Sequence, residues 1–274
     1  MHRRVQRNAN VYVGRTEVSP LDSASIAARI AASGATWRGG VFTLARTEST
    51  QDDARRAAGE GAPPGTIFVA DEQDRGRGRQ GRTWSAAPGS ALLASVVLRP
   101  QVAPLALPPL ALVIGLAVAE AIEARVSGVG VKWPNDVLVR GRKVSGVLVE
   151  AQLRGMKAES VIAGFGVNVR RASLPADVAA RATSLEEEGA VDLDRNALLA
   201  DIVVRIEHHV RAYERTGLAA SLGALRARDV AKGRRVEGES VKGIAAGIDD
   251  EGRLLVDSES GSRIAVSSGE VVFV

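Results

Sequence analysis

Arginine and glycine alternate through the stretch Asp71-Glu-Gln-Asp-Arg-Gly-Arg-Gly-Arg-Gln-Gly-Arg-Thr-Trp84. Arg75, Arg77, Arg79 and Arg82 offer planar guanidinium forks that suit phosphate or carboxylate. Gly76, Gly78 and Gly81 allow the backbone to approach a ligand closely. Glycine at this spacing costs a helix or strand about 0.5–1 kcal/mol per position, so a mobile surface loop is expected. Two further clusters place polar groups between apolar runs. One is Lys132-Trp-Pro-Asn-Asp136. The other is Lys143, which opens the run Lys143-Val-Ser-Gly-Val-Leu-Val-Glu150 just after a turn. Two lysines, several loop arginines and one or two acids suit phosphoryl or nucleotidyl transfer, which needs positioning and charge neutralisation more than a covalent nucleophile. Each cluster taken alone has a plainer alternative: a solvated basic linker, a turn-forming Asp136, or a solvated lysine at a strand start.

The rest of the composition narrows the chemistry. The 274 residues include no cysteine and three histidines, His2, His208 and His209. A thiolate nucleophile, a disulfide framework and a Cys-based metal site are excluded, and a His-based triad is nearly so. His208 and His209 are adjacent, point to different faces, and are expected at the surface. There is no G-x-x-x-x-G-K-[ST] run, and Gly76-Arg-Gly78 lacks the following helix of a dinucleotide fingerprint. The net charge of +4 could serve anionic ligands or be only a mildly basic surface. No apolar run is expected to reach the ~18 residues of a membrane span, and the basic N-terminus lacks an apolar signal core. A cytoplasmic protein without membrane contact is the expectation.

The elements that must position these groups follow from periodicity and turn signals. Residues 1–20 read as a poorly ordered leader and 21–33 as a short helix, within an N-terminal segment 1–40. Residues 41–45 read as a strand. Thr47-Glu-Ser-Thr-Gln51 opens a helix to about Glu60, with Ser49 or Thr50 as N-cap and Asp52 and Asp53 in its first turn. The free amides of that helix start could also hold a ligand. Strands at 66–70 and 91–98 flank the Arg/Gly loop, a common place for a site. A core helix is expected over 105–126. Trp133-Pro-Asn-Asp136 separates two strands, since Pro134 removes a donor. A strand over 160–169 carries Gly164 and Gly166, which suggest close approach by backbone or ligand. Helices over 193–215 and 217–229 close a domain spanning 41–230. Residues 231–274 read as short strands split by turns, a small β-barrel-like module.

In this order and spacing the segments resemble the biotin–protein ligases, or biotin–[acetyl-CoA-carboxylase] ligases. The matching residues are Ser49-Thr50, Gln73, Gly76-Arg-Gly-Arg-Gln-Gly-Arg82, Trp84, Lys132-Trp-Pro-Asn-Asp136, Lys143-Val-Ser-Gly-Val-Leu-Val-Glu150 and Gly164-Phe-Gly-Val-Asn168. The resemblance covers the chain from about residue 41 to its end. It implies an α+β fold: a mixed β-sheet backed by helices, related to class II aminoacyl-tRNA synthetases, with a C-terminal SH3-like barrel. It implies two steps, in which biotin and MgATP give biotinyl-5′-AMP and a lysine of a biotin carboxyl carrier domain of an acyl-CoA carboxylase then takes the biotin. Ser49, Thr50 and Gln51 are implied at the ureido and ring end of biotin, with Gln73 lining the same pocket. Arg77, Gly78 and Arg79 are implied over biotin and the adenylate, with Arg79 nearest the phosphate. Lys143 is implied at the biotin carboxylate and the phosphate. Lys132 and Asp136 are implied to serve the phosphate, the Mg²⁺ or the incoming lysine, Asp136 being the metal candidate. Asn135 and Asn168 fall on the nucleotide side, and Trp84 is either a wall for the adenine or a core aromatic.

Two positions depart from the family pattern: Gln51 where Asn is usual, and Arg75 where a small residue is usual. The first 40 residues show no second recognition-helix pattern, so a ligase without operator binding is expected, as a monomer or weak homodimer. A lipoate– or octanoate–protein ligase shares the fold class, but the Arg/Gly loop together with Lys-Trp-Pro-Asn-Asp points to biotin. A nucleic-acid binder would need stacking aromatics, which are 3% of this chain.

Overall fold

The computed structural model describes residues 20–274 apart from residues 156, 175, 177 and 192. All but the last residue of the expected leader lies outside them. Seven strands form one sheet: β1 (Val41–Thr47), β2 (Ile67–Gln73), β3 (Ala91–Leu98), β4 (Val129–Lys132), β5 (Asp136–Val139), β6 (Arg142–Arg154) and β7 (Lys157–Asn168). Their order is β1-β2-β3-β7-β6-β5-β4. The β1–β2 pair is parallel and the other neighbours are antiparallel, so the sheet is mixed. The C-terminal module is a five-stranded antiparallel sheet of β8 (Arg235–Gly238), β9 (Lys242–Ile248), β10 (Leu254–Ser258), β11 (Arg263–Val266) and β12 (Val271–Phe273). There β12 returns to pair with β8, an SH3-like arrangement.

The helices are α1 (Ser23–Ala32), α2 (Thr50–Gly59), α3 (Leu110–Glu123), α4 (Arg195–Thr216) and α5 (Ala219–Ala227). Strand side chains alternate between faces, and the two faces of this sheet differ. Leu92, Ala94, Val96 and Leu98 of β3 and Val161, Ala163, Phe165 and Val167 of β7 join the main core with α1, α3 and α4. The intervening Val97 and Ile162 pack on Ala54 and Ala58 of α2 in a separate small cluster. Farther along that second face come Ser95, Gly164, Gly166 and Asn168, which are too small or too polar to bury a helix. The cleft described below lies over them.

Three sequence expectations need correction. The helix expected over 105–126 is shorter: Pro108 and Pro109 interrupt it, a 3₁₀ turn occupies Pro104–Ala106, and α3 begins at Leu110. The stretch Pro104–Glu123 is also apolar and long enough to match a membrane span by composition, but it is mostly buried inside the fold. His209 is buried rather than at the surface. Its Nε2 lies 2.9 Å from Glu120 Oε2 of α3 and its Nδ1 3.4 Å from Ser221 Oγ of α5. His208 is exposed as expected.

Candidate active site

One cleft of about 870 Å³ opens on the glycine-bearing face of the large sheet. Ser49, Thr50, Gln51, Gln73, Arg77, Gly78, Arg79, Trp84, Lys132, Asn135, Asp136, Lys143 and Asn168 all line it. Six cationic side chains face it, namely Arg77, Arg79, Arg82, Lys132, Lys143 and Arg181, against the carboxylates of Asp136 and Glu270. The cleft thus carries an excess of four positive charges.

One end is built from neutral groups where β1 turns into α2. Ser49 holds the N-cap position as expected, but by its backbone alone, since its side chain makes no capping bond. Its Oγ is buried with no hydrogen-bond partner among the described residues. The neighbouring groups bond to one another. Thr50 N donates to Gln73 Oε1 at 2.8 Å, Thr50 Oγ1 and Ser95 Oγ lie 2.9 Å apart, and Ser95 donates to Gln51 Oε1 at 3.0 Å. Gln51 Nε2 donates to Glu150 at 3.0 Å and to the Ile162 carbonyl at 3.3 Å. The longer amide at position 51 thus reaches across the sheet, and a Cβ at Gly164 would stand 2.2 Å from its oxygen.

The other end is charged. The β4–β5 turn contains a cis Trp133–Pro134 bond and pairs Lys132 with Asp136 in register. Asn135 anchors the turn through Nδ2 to the Val147 carbonyl at 2.7 Å. Lys143 Nζ meets Asp136 Oδ1 at 2.7 Å and lies 5.7 Å from the Trp84 ring centroid. Burial pushes the Lys132 ammonium below its ordinary pKa even though Asp136 and Glu270 pull it up. Burial likewise lowers Arg79. Trp84 lies across Gly146 and Gly166, which face each other on β6 and β7. A Cβ at Gly166 would be 2.4 Å from the indole, so the two glycines form the slot that admits the ring. Trp84 Nε1 is buried without a hydrogen-bond partner among the described residues. Asn168 is buried at the end of β7, with Nδ2 on the Thr183 carbonyl at 3.1 Å.

The Arg/Gly stretch is not the irregular loop its composition suggests. Its arms pair: Gly78 N donates to Arg82 O at 2.7 Å, Trp84 N donates to Gly76 O at 2.9 Å, and Arg77 bridges Thr83. A 3₁₀ turn at Arg79–Gly81 closes this small hairpin. Gly76 is required, since a Cβ there would be 2.3 Å from the Trp84 carbonyl oxygen. Ion pairs then tie the arms down, Arg77 to Asp52 at 2.7 Å and Arg82 to Glu270 at 2.8 Å. Arg79 Nη1 donates to Asn135 Oδ1 at 3.2 Å. Arg75 does not line the cleft. It is exposed and pairs with Glu48 at 2.7 Å, a surface contact of small energetic weight.

Several lining residues had gone unnoticed in the sequence. Ser95 carried a signal, a hydroxyl inside the apolar run of β3. Arg181, Glu270 and Phe273 carried none, since they come from the segment after β7 and from the C-terminal module. Burial would raise the Glu270 carboxyl, but its bond to Arg82 and the charges of Arg82, Lys132 and Lys143 hold it below the usual carboxylate value.

The Mg²⁺ implied by the resemblance has one fit here. Among the described residues no group of three His, Cys, Asp or Glu side chains is arranged to hold a metal. Mg²⁺ ordinarily binds one or two carboxylates together with nucleotide phosphates. Asp136 can supply that one oxygen, so the donor set fits an ion that arrives with a triphosphate.

Fold and cleft together define a class. Residues 43–168 match the Biotin/lipoate A/B protein ligase family, and residues 232–274 match the Biotin protein ligase C terminal domain. The chain is 36% identical over 266 residues to the biotin–[acetyl-CoA-carboxylase] ligase of Mycobacterium tuberculosis, spanning 92% of this chain and 96% of that one. It is 35% identical over 223 residues to the bifunctional ligase/repressor BirA of Bacillus spizizenii, spanning 78% and 68%. The biotin protein ligase of Aquifex aeolicus in complex with biotin and ATP superposes with a TM-score of 0.72 at 32% identity, covering 85% of this chain and 98% of that one. The chain belongs to the biotin protein ligase family.

Proposed function

We propose that the cleft joins biotin to ATP and passes the product to a carrier lysine. The observation that carries this reading is the single continuous cleft, with neutral hydroxyls and amides at one end and dehydrated cations at the other. An uncharged ring with a carboxylate tail and a triphosphate are the two ligands such ends complement. The ring would lie against Ser49, Thr50, Gln73 and the Gln51 backbone region, its polar atoms satisfying Ser49 Oγ. Its carboxylate would reach Lys143. A carboxylate oxygen attacks the α-phosphorus, the bond to the β-phosphate oxygen breaks, and pyrophosphate leaves. Lys143, Lys132 and Arg79 neutralise the charge that develops on the phosphoryl oxygens. Mg²⁺ held by the phosphates and Asp136 would add to that neutralisation. The adenosine would lie towards Trp84, Asn135 and Asn168.

In the second step the amine of a carrier-domain lysine attacks the acyl carbon and AMP leaves. Asp136, already bonded to one ammonium, can take the proton the incoming amine must lose. The acceptor is the biotin carrier domain of a carboxylase, and the reaction is cytoplasmic. The hairpin 76–84 covers the adenylate and excludes water from the anhydride. Titration with biotin, then ATP, followed by biotin-dependent ATP–pyrophosphate exchange tests the reading. Binding of both and exchange are expected. No binding of either would overturn it, and preference for lipoate over biotin would move the chain to the neighbouring class.

A further inference from the structure

We propose that Glu150 is a positioning residue that couples the neutral end of the cleft to the hairpin covering it. Glu150 touches no residue assigned above to the phosphates and lies on β6 beside the second cavity, of about 640 Å³, on the far side of the hairpin. Its carboxylate is shared. Oε2 accepts from Gln51 Nε2 at 3.0 Å and from Arg55. Arg77 spans both oxygens, at 3.4 Å and 3.3 Å. Gln51 continues the chain inward through Ser95 to Thr50, whose backbone N–H donates to Gln73. One hydrogen-bonded path thus runs from the pocket floor to an arginine of the hairpin.

Asp52 holds the same arginine at 2.7 Å, so Glu150 is not needed to keep Arg77 near the sheet. What Glu150 adds is orientation. Together with the Ile162 carbonyl it fixes the Gln51 amide, since both can only accept, and so turns Gln51 Oε1 towards Ser95. Ser95 must then donate to Gln51, and Thr50 Oγ1 must donate to Ser95. The Ser95 and Thr50 hydroxyls are thereby set in one direction before a ligand arrives. A ligand that disturbs Thr50 or Gln73 acts along the same path on Arg77. Position 51 makes this possible, because an asparagine there would be one methylene shorter than the path requires.

This inference rests on the reading of the neutral end as the biotin site, and the test separates the two. Glu150→Gln keeps the size of the group and removes the charge. Gln51→Asn keeps every charge and withdraws the amide. Biotin affinity is measured by calorimetry without ATP, and hairpin order by the rate of trypsin cleavage after Arg75, Arg77, Arg79 and Arg82, with and without biotin. In the native chain biotin is expected to bind and to slow cleavage. Glu150→Gln is expected to weaken biotin about tenfold, the scale of one charge-assisted hydrogen bond, to lose most of the protection, and to leave the ATP KM within about twofold. Gln51→Asn is expected to lose protection as well, with a melting temperature lowered by a few degrees and the fold kept. Native binding and protection kept by both variants, or equal losses for biotin and ATP, would overturn the coupling. Failure of the native chain to bind biotin would instead overturn the biotin reading. If Glu150→Gln does not fold, Gln51→Asn decides alone.

Discussion

The two ends of the cleft solve opposite problems. Around Thr50, Gln73, Ser95 and Gln51 the polar atoms are neutral, buried or half-buried, and bonded to one another, with Ser49 Oγ left over among the described residues. Around Lys132, Lys143 and Arg79 the groups are charged and partly dehydrated, and their charge exceeds that of the acids beside them. A neutral, pre-bonded end recognises shape and hydrogen-bond pattern at little reorganisation cost. A cationic end holds an electrostatic deficit that only an anion removes. One surface thus offers a fixed hydrogen-bond pattern at one end and uncompensated positive charge at the other. Changes at the two ends should separate cleanly in their effects.

The largest effect is expected from Lys143→Ala, which removes the cation between the two ends and leaves Asp136 without its 2.7 Å partner. Biotin-dependent ATP–pyrophosphate exchange should fall about 10²–10³-fold, the scale of losing one preorganised charge-stabilising donor. Full exchange in that variant would remove Lys143 from the chemistry. Gly166→Ala should act on the charged end alone. Its methyl would meet the Trp84 indole at 2.4 Å, so the ring must leave its slot. An ATP KM raised about tenfold with unchanged biotin affinity is expected, and equal losses would blur the contrast between the ends.

Ser49→Ala addresses the neutral end. It deletes a buried hydroxyl that has no partner among the described residues, a group that costs about 1–3 kcal/mol when left unsatisfied. The unliganded protein should be no less stable in thermal melts, and biotin should bind roughly fivefold to tenfold more weakly, for one lost hydrogen bond. A loss of stability would mean that the hydroxyl already has a structural partner.

The smallest effect is a proton. Lys132 titrates below the ordinary 10.5 because burial disfavours its charge. Below that lowered value both folded and unfolded chains hold the proton, and the dehydrated ammonium costs stability. Between it and 10.5 the unfolded chain binds more protons, so stability gains from this group as pH rises. A bound triphosphate restores the charge. ATP binding in that alkaline window should therefore take up a proton, read by calorimetry in buffers of different ionisation heat, and Lys132→Met should abolish the uptake. Biotin alone should take up none at this site.

Local patterns in the chain were enough for much of this. The β3 run Ala91–Leu98 matches its strand to the residue, because continuous apolar burial leaves no ambiguity there. Gly164 and Gly166 signalled close approach, and the structure puts Gln51 and Trp84 against them. The polar stretches at 49–51, 73–84, 132–136 and 143 could be assigned to one kind of chemistry from residue types and the resemblance they carry. They converge because each lies at a strand end or turn of one sheet. What composition misjudged was the Arg/Gly stretch. Its order comes from Asp52, Glu150, Asn135 and Glu270, none of them a neighbour in sequence, and a glycine-rich segment has no local preference that could reveal them.

By itself, then, the sequence determined most of the elements and which polar stretches meet in one cleft, since both depend on side-chain type and short-range periodicity. Only the tertiary structure decided that Glu270, just before the last strand, and Phe273 within it line the cleft. The same holds for Ser49, whose hydroxyl has no partner among the described residues while its neighbours bond, and for Lys132, which is dehydrated enough to titrate low. Those properties depend on what is packed around a group from distant parts of the chain, and no local pattern encodes it.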